Sequence, residues 1–169
     1  MRHPFQPLLP VLPPRAAGTT RLRAPCRCFD PRWRALSREA QFHDVIEAYH
    51  RSGGVATGNE VAALVRPHRD QAVSTVARWI VARDVLSFDW RMQPLVPLFQ
   101  FDLARMLPRK CVSEVLAELV DVFDNWDLAR WFAEPNAWLG DRAPADLITA
   151  CPHDVLDAAR ADRFVTRGC

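Results

Sequence analysis

From Ser37 onward the apolar positions fall at helical spacing. Phe42, Val45, Ile46 and Tyr49 follow an i, i+3, i+4, i+7 rule and predict a first helix. Ser52-Gly53-Gly54 ends it, glycine supplying the left-handed cap. Thr57 with Glu60 three residues on reads as a capping box that opens a second helix. Val61, Leu64 and Val65 give that helix its apolar side, and Pro67 stops it. A third helix is predicted over about 70–83. Its stripe is Val73, Val76, Ala77, Ile80 and Val81; Gln71, Thr75 and Arg78 point the other way, with Ser74 on the flank.

The period then changes from 3.6 to 2. In 85–90 Val85, Ser87 and Asp89 alternate with Leu86, Phe88 and Trp90, and a second extended run covers 95–101. Two short strands joined this closely read as a hairpin, with Pro97 placing its strand at an edge. Three helices and then a hairpin is the order of a winged helix-turn-helix. There the third helix enters the DNA major groove and the hairpin touches the backbone. The candidate DNA contacts are Arg69, Gln71, Ser74, Thr75 and Arg78, with Arg91 at the wing. Arginine can read guanine edges, glutamine can read adenine, and hydroxyls can hold phosphates. A plain protein-docking unit is the competing reading, because polar helix faces are commonly just solvated.

Helical spacing returns with Val112, Val115, Leu116, Leu119, Val120 and Phe123, opposite Glu114, Glu118 and Asp121. Asp124 or Asn125 can cap a following helix that carries Leu128, Trp131 and Phe132 and ends before Pro135. Asn136 can cap a short turn through Trp138 and Leu139 that Gly140 closes. Pro144 opens a helix over 144–150, and Pro152 opens the last one, about 153–164. Such short helices bury little each. Trp126, Trp131 and Trp138, half of the six tryptophans, crowd into this stretch. Large aromatic area would hold such fragments together, so Trp131 and Trp138 are expected in the core.

Charge divides the chain. Residues 1–38 hold eight arginines and one acid, a net of +7, whereas 39–169 hold 14 basic residues and 19 acids, a net of −5. Within that, 111–169 has five arginines and 11 acids, a net of −6. The basic excess therefore belongs to the Pro- and Arg-rich leader. That leader reads as a disordered arm, either a non-specific nucleic-acid contact or a stretch upstream of the true start of translation. No apolar run approaches the roughly 18 to 20 residues that span a bilayer. Four prolines in Pro7–Pro14 spoil that stretch as a signal-peptide core, so a cytoplasmic protein is expected. Five cysteines show no pairing pattern, and Cys26 and Cys28 lack a second pair for zinc.

Enzyme chemistry finds little support. There is no Gly-rich phosphate loop and no G-x-S-x-G, so neither catalytic residues nor a cofactor is expected. Glu39, His43, Glu47 and His50 share one helix at metal-compatible spacing. They also lie where an amphipathic helix exposes polar groups, and no metal is expected.

The segment 124–168 resembles the C-terminal toxin-binding domain of Xre/MbcA/ParS-type antitoxins. The matching residues are Trp131, Pro135, Asn136, Leu139, Gly140, Pro144, Asp146, Leu147 and Gly168, and Trp126 lies at the head of the stretch. Asp141 stands where the family has a second glycine. The resemblance implies an antitoxin that neutralises a RES-type, NAD-consuming toxin through protein contact. It also implies a homodimer that represses its own operon by binding operator DNA. By position, Arg160, Arg163, Phe164, Arg167 and Gly168 would face the toxin. The alternative is a stand-alone interaction module with neither toxin nor DNA. The expected architecture is mainly α: a basic arm over 1–38, a winged-helix-like unit with one β-hairpin over 39–105, and a toxin-binding bundle of short helices over 106–169.

Overall fold

The computed structural model describes residues 37–168. The expected arm, apart from its last two residues, and Cys26 and Cys28 lie outside them. Ser37 accepts from the Ala40 amide through its side chain and caps α1, Arg38–His50, so the helix takes in the last residue assigned to the arm. Val45 and Tyr49 are buried, with Phe42 and Ile46 packed beside them, as the spacing predicts.

A strand absent from the sequence reading follows. Gly53 and Gly54, at φ +104° and +83°, turn the chain into β1, Val55–Thr57. Thr57 then makes the expected capping box with Glu60 and starts α2, Gly58–Val65. The third helix, α3, runs Ala72–Val81. The hairpin is β2, Phe88–Trp90, and β3, Gln93–Pro97, well inside the span 85–101.

The three strands form an antiparallel sheet in the order β1-β3-β2, so β3 lies in the centre and the edge position expected from Pro97 is incorrect. The register explains how a central strand carries two prolines. Pro94 pairs only with Asp89 of β2 and Pro97 only with Val55 of β1. Leu95 alone is flanked on both sides, by Thr57 and Phe88, so neither proline interrupts a two-sided ladder. The order helix, strand, two helices and two strands is that of a winged helix.

A 3₁₀ turn at Leu98–Gln100 leads to a second small hairpin, β4 Phe101–Asp102 with β5 Leu107–Pro108. Gln100 is fully buried and hydrogen-bonds at both ends: its amide donates to the Leu86 and Pro97 carbonyls and its carbonyl accepts from the Leu86 amide. It pins the segment before β2 to the turn after β3.

The remaining elements are α4 Lys110–Leu119, α5 Asn125–Ala133, a 3₁₀ turn Ala137–Leu139, α6 Pro144–Leu147 and α7 Pro152–Arg167. Asp124 caps α5, Asn136 the 3₁₀ turn, and Pro144 and Pro152 open α6 and α7 as expected. The larger core draws on both halves. Val45, Tyr49, Leu86, Phe88 and Phe99 pack with Leu116, Leu119, Leu128, Phe132 and Val155. Buried Tyr49 donates its hydroxyl to the Ala129 carbonyl at 2.7 Å, and burial raises its pKa well above the usual value. A smaller core joins α2, α3, β3, β4 and Met106. No described helix is long and apolar enough to cross a membrane.

Candidate functional site

The motif stretch is organised around one carboxylate. Asp162 on α7 accepts from Trp131 Nε1 at 2.7 Å and Asn136 Nδ2 at 3.0 Å through Oδ2, and from Trp138 Nε1 at 3.0 Å through Oδ1. Asn136 is fully buried, and its side-chain carbonyl accepts from the Trp138 amide. Its backbone N–H donates to the Arg142 carbonyl, and its own carbonyl accepts from the Leu139 and Asp141 amides. Each polar group of Asn136 is thus matched, which a buried amide requires. Pro135 stops α5 one residue earlier and sets the chain extended for this turn.

The glycine positions of the motif also have a physical reason. Gly140 and Asp141 sit at φ +63° and +60°, in the left-handed region. Asp141 belongs to a residue type that tolerates this conformation better than most. Pro144, Ala145 and Leu147 of α6 are buried and Asp146 faces outward.

The tryptophans divide by role. Trp131 is 3% exposed, as expected. Trp138 is 54% exposed, so its expected core place is incorrect: its indole N–H is held by Asp162 while about half of the residue remains open to solvent. Trp126 is half-buried and edge-on to Phe88. It stacks at 6.0 Å on Trp90, which lies at 4.0 Å over Phe42, and Arg38 caps it at 5.3 Å. That aromatic column ties α1 and the β2–β3 hairpin to α5.

The C-terminal arginines do not form a free tail. Helix α7 continues through Arg167, capped by Gly168, past the expected end near 164. Arg160 pairs with Glu118 at 3.1 Å and Asp157 at 3.2 Å, Arg163 pairs with Glu118, and Arg167 pairs with Asp121 at 3.0 Å. The hydrogen bond to Glu118, first among several effects, raises the Arg160 pKa. Glu118 of α4, Asp121 just beyond it and Asp157 of α7 therefore already hold the three arginines. Phe164, one turn from Arg160 and from Arg167 on the same helix, is 80% exposed.

The candidate DNA face is rotated from its expected phase. Ala72, Thr75 and Val76 are buried, and Trp79 packs at 6.0 Å against Phe101. Thr75, at 6% exposure, cannot touch DNA from this face, so its assignment is a correction. Ser74 and Arg78 face solvent, but they share their side with Val73, Ala77 and Val81, and the two valines are 63% and 84% exposed. The bulk of Trp79 sets this phase, because its ring needs the core more than a valine does. Gln71 is exposed at φ +55° just before α3, and Arg69 is exposed on the preceding turn. Arg91 occupies the tip of the hairpin but bonds to Glu39 at 2.6 Å. His43, Glu47 and His50 are exposed, and no metal-holding group exists among the described residues.

Compared with models of protein families, with curated proteins and with solved structures, the chain matches none.

Proposed function

We propose that the C-terminal unit is a partner-binding surface of the antitoxin kind, acting by protein contact on a RES-type, NAD-consuming toxin. The observation that carries this reading is the Asp162 hub. It holds Trp131, Asn136 and Trp138 together and leaves about half of Trp138 open to solvent. Phe164 adds a second exposed aromatic on the helix that carries Asp162. Rigid, exposed aromatics lose little entropy on binding and are common interface anchors. Arg160, Arg163 and Arg167 serve mainly to seat α7 on α4, and their outer edges remain open to a partner. Co-expression with the product of the adjacent gene tests the proposal. The full chain should preserve cellular NAD when that product is induced, and unchanged NAD loss would refute the toxin.

A second reading concerns α3. Exposed Val73, Ala77 and Val81 beside Arg78 favour protein docking, including a second copy of this chain, over base reading. Operator binding through Arg69, Gln71, Ser74, Arg78 and Arg91 keeps the right chemistry on an exposed surface. A gel shift on the upstream region at low salt separates the two: a complex supports the operator, and its absence leaves docking.

A further inference from the structure

A groove of about 480 Å³ lies where the winged-helix unit meets the motif loop. Its charged lining is Arg51, Arg109 and Arg142 against a single aspartate, Asp146. We propose that this groove binds a phosphate dianion, free or carried as the monoester of a small molecule.

Each guanidinium is brought there by a backbone that a buried residue holds. Arg51 ends α1 two residues after Tyr49, whose carbonyl accepts from the Ser52 and Gly54 amides. Arg109 donates its amide to the carbonyl of buried Gln100 and its Nε to the Phe99 carbonyl at 3.2 Å. Arg142 is placed by the bond from the buried Asn136 amide to its carbonyl, across the left-handed Gly140-Asp141 turn. The groove thus inherits its geometry from three anchors of the core.

None of the three arginines makes an ion pair among the described residues, whereas Arg91, Arg130, Arg160, Arg163 and Arg167 all do. Asp146 lies in the same lining and also makes none, so the groove keeps a local excess of positive charge beside a C-terminal segment that is acidic overall. Planar guanidinium forks match phosphate oxygens in pairs, and three of them converge better on a tetrahedral dianion than on a planar carboxylate. Arg109 is also the N-cap residue of α4, a ten-residue helix that no side chain caps, so an anion there meets a favourable helix dipole. The groove size suits a ligand on the scale of a mononucleotide.

The test is calorimetric titration of the full chain at low ionic strength, in chloride, with inorganic phosphate, adenosine monophosphate and a hexaglutamate peptide. Phosphate or the nucleotide should saturate with a dissociation constant below about 1 mM. Equal affinity for the two would mark free phosphate as sufficient, and tighter nucleotide binding would mark the monoester as the ligand. Arg51→Gln with Arg142→Gln removes two exposed, unpaired guanidiniums and should weaken binding about tenfold or more without altering the melting temperature. Arg66→Gln with Arg83→Gln removes the same charge from exposed positions outside the groove and should leave binding unchanged. No saturable binding, equal loss in both double variants, or tighter binding of hexaglutamate than of either phosphate would overturn the proposal.

Discussion

Trp131 and Asp162, 31 residues apart in sequence, are joined by a 2.7 Å hydrogen bond from the indole Nε1 to the carboxylate. The same oxygen accepts from Asn136, so α5, the motif loop and α7 meet at one atom. Asp162→Ala would strand the buried Asn136 amide and the Trp131 N–H. At about 1 to 3 kcal/mol for each buried donor left unmatched, and less where water reaches it, the variant should lose about 2 to 4 kcal/mol. Trp131→Ala should cost about 3 to 5 kcal/mol through the cavity as well. Denaturant unfolding checks both. A melting temperature within a degree or two of wild type would place the hub outside the stability core.

Among the described residues six non-glycine positions lie in the left-handed region, and only two of them are adjacent. Arg91 and Met92, at φ +48° and +66°, close the β2–β3 hairpin, and Met92 is 98% exposed. Consecutive positive φ values define a type I′ turn, which favours Asn-Gly. Met92→Gly should stabilise by about 1 kcal/mol, because it removes strain and no contact. Asp141→Gly should gain less, since aspartate tolerates this region. Destabilisation by Met92→Gly would show that the hairpin tip is held by contacts of the methionine.

The Thr57–Glu60 capping box gives α2 a pH signature. Backbone and side-chain hydrogen bonds from Thr57 lower the Glu60 pKa below its ordinary 4.5. A lowered carboxyl stabilises where it is ionised. Its contribution is complete above the ordinary value and lost as pH falls through the folded one. The stability gap between wild type and Glu60→Ala should therefore shrink as pH falls from 6 toward 3. Thr57→Ala should cost about 1 kcal/mol at neutral pH. A gap independent of pH would contradict the box.

The breaks between the C-terminal helices were legible because they are punctuated, although α6 stops at Leu147, short of 150, and α7 runs past 164 to Arg167. Pro135, Asn136, Gly140, Pro144 and Pro152 each do locally what their residue type does best. The hairpin was legible from the change of period. The phase of α3 was not, since five apolar residues outvoted Trp79, and a valine stripe looks like a core face until a larger ring claims it. Strand β1 is three residues long and β4 and β5 two each, too short to show a period. Asp162 gave no signal: an acid on an Ala-rich helix reads as solvated until the donors opposite it are known. The resemblance turns Arg160, Arg163 and Arg167 toward a partner, yet in the fold they continue the packing of α7 by pairing with Glu118 and Asp121.

If operator DNA is bound, Arg78→Ala should weaken it by about 1 to 3 kcal/mol, with a steep salt dependence. Thr75→Val should leave it unchanged, because Thr75 faces the core. A loss of binding in Thr75→Val at unchanged stability would restore the sequence-based phase of α3.

Truncation after Ala159 is a poor probe of partner binding, because it removes Asp162 and should unfold the bundle. The direct measurement is the affinity of Phe164→Ala for the product of the adjacent gene, read beside its melting temperature. Phe164 is 80% exposed, so the fold should be unaffected. A central interface anchor lost in this way costs about 2 kcal/mol or more, roughly thirtyfold in dissociation constant. That loss at an unchanged melting temperature is the result expected of the partner-binding surface. Equal affinity for wild type and variant, or no binding by wild type, would contradict it.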